Sequence, residues 1–194
     1  MQKKIVTFGE ILMRLNPEGY FRFLQSSKFE VSYGGGEANV AVSLANYGMN
    51  ATFVSKVPEH EIGQCAQRVS KVIYDRENSS ISQADPEDFN WDLIFDKADW
   101  FHWTGITPAL GGRLPEICKA ACKAAKERQI PISCDLNFRK KLWTRERANA
   151  VMQQLMPYVD VCIANEEDAK NVFGIVSDGT DIDKAQINKN GYID

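Results

Sequence analysis

The run Gly34-Gly35-Gly36-Glu37-Ala38-Asn39-Val40-Ala41-Val42-Ser43-Leu44-Ala45-Asn46-Tyr47-Gly48 constrains this chain more than any other part of it. Three successive glycines strip side chains from a turn and bare its backbone N–H groups. A strong helical pattern follows at once, and Gly48 is placed to stop it. A polar ligand can approach such a backbone closely. The positive end of the new helix favours an anion or an electron-rich hydroxyl there. Asn39 falls near the first turn and brings an amide that both donates and accepts. On these grounds alone the segment reads equally well as a binding loop and as a connector before a packing helix.

Around it, apolar runs alternate with helical patterns. Strands are expected at Ile5–Phe8, Ala51–Val57, Lys71–Asp75, Trp100–Trp103, Ile130–Cys134 and Val159–Ala164. Helices are expected at Glu37–Tyr47, Glu61–Arg68, Leu114–Arg128, from Thr144 to Met156, and from Asn165 to Phe173 with Gly174 as the stop. Pro115 sits where a first turn tolerates it, and Thr144 is the expected cap of its helix. Strand-helix alternation implies an α/β fold with parallel strands and crossover helices. The near-continuous apolar strands Ile130–Cys134 and Val159–Ala164 suit a sheet covered on both faces. The polar, turn-rich stretch after Gly174 reads as loop.

The 194 residues are 44% hydrophobic and 25% charged, enough for one domain with a real core. The formal net charge is −3 and no basic block stands out, which argues against a nucleic-acid partner. No apolar run approaches a membrane span, and the start reads as a buried strand rather than a signal peptide. Of the five cysteines, Cys118 and Cys122 share one face of a predicted helix, but Cys65, Cys134 and Cys162 complete no zinc-type spacing. They read as small buried hydrophobes in a reducing, cytoplasmic setting.

Open parallel sheets bind ligands at the carboxyl ends of their strands. Three polar groups stand there: Trp103-Thr104-Gly105-Ile106-Thr107-Pro108, Asp135-Leu136-Asn137-Phe138-Arg139 and Asn165-Glu166-Glu167-Asp168. The Arg139 guanidinium can hold a carboxylate or phosphate through two parallel hydrogen bonds, or it can clamp Asp135. Tyr74 and Arg76 fall on the same face of a strand, as ligand contacts or as a solvated edge. The acids of 166–168 also complement a helix dipole. His102 reads as a core histidine, and Trp100, Phe101, Trp103 and Trp143 as packing anchors.

The glycine run and the helix after it resemble the amino-terminal signature of the ribokinase-like (PfkB) carbohydrate kinases, and within them the 2-keto-3-deoxygluconate kinases. That resemblance implies a three-layer α/β sandwich, its mainly parallel sheet flanked by helices, with a small β lid. The lid strands and substrate loop would lie at about 10–35 and 67–82, in a partial kinase domain spanning 1–194. It implies sugar contacts from Gly34, Gly35 and Asn39, pocket walls from Leu12 and Ile106, and substrate contacts from Tyr74, Arg76 and Arg139. Asn165 and Asp168 match the family's Asn-x-x-Glu motif, with Asp168 one methylene shorter, and would help organise Mg2+ through water beside ATP. Two arginines on one small molecule favour an acidic sugar over a neutral one. The implied activity is ATP-dependent phosphorylation of 2-keto-3-deoxygluconate, with fructose or another sugar as the neighbouring option. The family also implies a homo-oligomer built through the lid.

Two family features are missing. No Gly-Ala-Gly-Asp or Gly-Gly-Gly-Asp motif supplies a general base, so the base and the nucleotide half are expected beyond Asp194, in a longer protein. Gln64-Cys65-Ala66 is joined directly to Gln67-Arg68, where the family carries more helix and lid strand. A chain complete as it stands would instead be a non-catalytic binder of a sugar acid. A redox or metal protein built on Cys118 and Cys122 is a distant third reading.

Overall fold

A computed structural model describes residues 2–57 and 79–176. The first strand, β1 (Lys4–Phe8), leads into a two-stranded antiparallel ribbon, β2 (Leu12–Pro17) and β3 (Phe29–Gly34). Helix α1 (Gly36–Asn46) follows directly and returns the chain to β4 (Asn50–Val54). A short helix α2 (Trp91–Ile94) precedes β5 (Trp100–Thr104). Then come α3 (Ile106–Ala109), α4 (Leu114–Glu127), β6 (Ile132–Asp135), α5 (Arg145–Leu155), β7 (Val161–Ile163) and α6 (Glu166–Phe173).

The main sheet runs β4-β1-β5-β6-β7, and its pairs are parallel. Alternation along the strands sorts side chains between two faces. Val6 and Phe8, Phe101 and Trp103, and Ile132 and Cys134 enter one core with Ile117, Ala121 and Cys122 of α4 and Met152 of α5. Phe8, Phe89, Trp91, Phe95 and Phe101 form a chain of ring contacts with centroids 5.1–5.4 Å apart. Such pairs add about 0.5–1.5 kcal/mol each beyond their area. Thr7, His102 and Ser133 form a register row on the opposite face, where α1 packs. The layers are thus helix, sheet and helix, as the α/β expectation requires.

Local signals act where the sequence places them. Thr144 Oγ1 accepts the Arg147 N–H, capping α5, and Pro115 lies in the first turn of α4. Gly174 takes φ +70° and closes α6, a conformation that costs glycine no Cβ clash. Cys118 and Cys122 are buried on one face of α4. One expectation is corrected. Strand β7 is short, and all of Val161, Cys162 and Ile163 are exposed. Its apolar run suggested cover on both faces, but among the described residues it is an edge strand paired only with β6. The expected helix Glu61–Arg68 and strand Lys71–Asp75 lie outside the described residues.

Candidate functional site

The glycine loop, the β5 turn and the β6 turn meet at the carboxyl edge of the sheet. Gly35 is packed so closely on the turn after β1 that a Cβ there would lie 2.2 Å from the Glu10 carbonyl oxygen. A Cβ on Gly36 would stand 3.3 Å from Thr104 Cγ2 and 4.0 Å from Asn137 Nδ2. Helix α1 begins with Gly35 as its N-cap and has no side-chain cap hydrogen bond, although the Glu37 carboxyl meets its own amide. Helix starts without a capping side chain leave N–H groups for polar ligands. Gly34 and Gly35 are buried, while Asn39 is exposed one turn along.

Glu37 binds this edge together from within. It is 1% exposed. Its Oε1 accepts the Thr104 N–H at 3.1 Å, the Thr104 hydroxyl at 2.9 Å and the Thr107 hydroxyl at 2.6 Å. A Cβ on Gly9 would fall 2.2 Å from the same carboxyl, so it lies flat on the end of β1. Oε2 has no hydrogen-bond partner among the described residues. Burial pushes the Glu37 carboxyl above the usual range, against the lowering effect of the Thr107 and Thr104 bonds. Sequence reasoning missed this role, because a glutamate at a helix start is explained by the dipole alone.

The β6 turn reverses at Asn137, whose φ of +37° suits asparagine better than most side chains. Asp135 Oδ1 accepts the Asn137 N–H at 3.1 Å and so stabilises the reversal. The structure records no Asp135–Arg139 ion pair. Arg139 is exposed, and its charge acts on Asp168. Asn165 caps α6 by accepting the Asp168 N–H at 2.7 Å. Asp168 in turn accepts the Phe138 N–H through Oδ1 at 3.1 Å, joining α6 to the loop that carries Arg139. Burial raises the Asp168 carboxyl, with the Phe138 bond opposing it and the Asp135 charge reinforcing it.

Leu12 and Ile106 are half-buried at this edge, on β2 and at the start of α3. Tyr74 and Arg76 lie outside the described residues. His102 is buried, its Nδ1 lies 2.9 Å from Ser133 Oγ, and burial lowers its pKa, in keeping with a core histidine. Among the described residues, no group of three or more His, Cys, Asp or Glu side chains is placed to hold a metal ion.

In doubly wound α/β proteins, ligands bind at a sheet edge of this kind, where a glycine-fronted helix meets converging polar turns. The family profile for "pfkB family carbohydrate kinase" matches residues 2–68 and 65–190, and the chain belongs to that family. The two matched segments meet at 65–68, where the family elements described above are expected to be missing.

The 2-dehydro-3-deoxygalactonokinase of Haloferax volcanii is 31% identical over 209 residues, covering 92% of this chain and 65% of that protein. A probable chloroplastic fructokinase-6 of Arabidopsis thaliana is 26% identical over 201 residues, covering 84% and 51%. Among solved structures, the 2-dehydro-3-deoxygluconokinase of Thermotoga maritima superposes with a TM-score of 0.86 at 43% identity, covering 98% of this chain and 66% of that one. The chain spans about half to two thirds of the length of these proteins.

Proposed function

We propose that the protein serves phosphoryl transfer from ATP to the terminal hydroxyl of a 2-keto-3-deoxy sugar acid, 2-keto-3-deoxygluconate first, giving the 6-phosphate. The observation that carries this reading is the joining of Arg139's loop to the Asn165–Asp168 helix start beside the Gly34-Gly35 loop. Gly34, Gly35 and Asn39 would take the sugar hydroxyls, Leu12 and Ile106 would wall the pocket, and Arg139 would hold the carboxylate. Tyr74 and Arg76 would complete the grip. Asn165 and Asp168 would orient Mg2+-bound water at the phosphates, since Mg2+ keeps much of its hydration shell. The names of the similar kinases from Haloferax and Thermotoga support an acidic substrate. A cytoplasmic homo-oligomer belongs to the same reading.

Arg139→Ala tests it. A charge-assisted contact is worth roughly 10- to 100-fold in affinity. The variant should raise the KM for the sugar acid by that factor, with an unchanged unfolding midpoint. Unaltered kinetics would remove Arg139 from the site. Turnover of fructose in preference to the acid would move the protein to the neighbouring specificity.

A further inference from the structure

The lid ribbon turns a second arginine toward the same loop. In β2 and β3, Leu12, Arg14 and Asn16 oppose Gly34, Ser32 and Glu30, so these six share one face. Met13, Leu15, Val31 and Tyr33 take the other, and Val31 and Tyr33 are exposed there. Arg14 therefore stands on the face of Leu12 and Gly34, two residues that the proposed site uses. A Cβ built on Gly34 would lie 2.9 Å from both Cζ and Nη2 of Arg14 and 3.3 Å from Nε. The guanidinium is laid over the bare backbone of Gly34, in space that only glycine leaves open.

Arg14 is half-buried, yet it makes no ion pair or hydrogen bond among the described residues. Arg113 and Arg128, by contrast, are paired with acids on the surface. A half-buried guanidinium carries five N–H donors, and leaving them unsatisfied is costly unless water or a ligand takes them. Its planar fork matches a carboxylate, and the acid on its own face, Glu30 diagonally across the ribbon, makes no ion pair with it among the described residues.

We propose that Arg14 is a specificity residue of this site, holding the carboxylate end of an acidic sugar against the Gly34 backbone as the lid lies over it. The proposal rests on the sugar-acid reading above and adds a contact from the lid to it. It makes discrimination between acidic and neutral sugars a property of the ribbon as well as of the sheet edge.

Isothermal titration of the full chain with 2-keto-3-deoxygluconate and with fructose, at low and moderate salt, tests it on Arg14→Gln and Arg14→Lys. Arg14→Gln should weaken the acid at least about tenfold and leave fructose within about twofold. Arg14→Lys keeps the charge without the fork and should fall between wild type and Arg14→Gln. It also serves should Arg14→Gln not fold. Acid affinity within about threefold of wild type in both variants, or equal losses for acid and fructose, overturns the proposal and leaves Arg14 a lid clamp. A wild-type chain that binds fructose better than the acid, or neither, overturns the sugar-acid reading itself and this contact with it. The two failures separate because one shows in the wild type and the other only in the variants.

Discussion

Glu37→Leu and Glu37→Gln, compared across pH, measure how far one buried carboxyl holds the sheet edge together. Leucine removes the acceptor of three donors: the Thr104 amide, the Thr104 hydroxyl and the Thr107 hydroxyl. The Thr107 hydroxyl keeps its 3.5 Å contact to the Phe8 carbonyl, and the Thr104 amide loses its side-chain acceptor. Each buried group so orphaned costs about 1–3 kcal/mol. Removing the unpartnered Oε2 offsets part of that. The net expectation for leucine is a loss of about 2–4 kcal/mol. Glutamine keeps Oε1 as acceptor and places an amide nitrogen where Oε2 was, so its cost is about 1 kcal/mol at low pH.

The pH dependence gives the sharper test. The folded-state pKa of Glu37 is raised by burial, so between the unfolded and folded values the native chain binds more protons than the unfolded one. Stability from this group is then fully present below the ordinary carboxylate range and is lost as pH rises through the folded value. Glutamine does not titrate. The gap between wild type and Glu37→Gln should therefore be widest in acid and should narrow or reverse toward neutral pH. Asp168, also raised, and Asp88, Glu146 and Asp160, lowered, titrate in both proteins and cancel in the difference. Urea unfolding of both proteins from about pH 4 to 8 reads the gap directly. A gap that stays constant over that range, or one that grows with pH, refutes the argument that burial raises the Glu37 carboxyl.

Gly105→Ala should destabilise by about 1–3 kcal/mol or more, because its Cβ would meet the Leu136 carbonyl oxygen, a backbone atom, at 2.2 Å. Urea midpoints check it, and an unchanged midpoint would show that the β5 and β6 turns can part freely. Asn165→Ala should lose about 1 kcal/mol through the α6 cap that Asn165 makes to Asp168. Amide exchange at 166–169 should quicken with it, and unaltered exchange would mean that the cap is redundant. Burial raises the Cys118 and Cys134 thiols and takes Cys122 to about 12, so among these and the exposed Cys162 only Cys162 should alkylate in the native chain. Peptide mass mapping after iodoacetamide reads the order, and early labelling of Cys118 would contradict the packing of α4.

The elements of the sheet were legible because their periods and caps are local. Thr144 and Arg147 lie within one turn, and Gly174 stops α6 by its own backbone conformation. The strand-end turns were legible for a related reason: each leaves an apolar run abruptly and lands on the edge that parallel sheets use. What escaped depends on contacts far apart in the chain. Glu37 finds Thr104 and Thr107 across 67 and 70 residues, and no spacing rule relates those positions. Arg14 escaped for a different reason, since its neighbour in the structure, Gly34, belongs to the most conspicuous motif in the sequence. Counting by twos from Leu12 would have put Arg14 on the same strand face, but only the ribbon's register brings that face onto Gly34.

The exposed β7 shows the same limit from the other side. An apolar run tells how much cover a strand wants, while its place in the sheet order decides how much it receives. Val161, Cys162 and Ile163 carry the composition of an interior strand at a sheet edge. Among the described residues its outer side is unpaired, and an apolar edge of that kind is a template for further pairing.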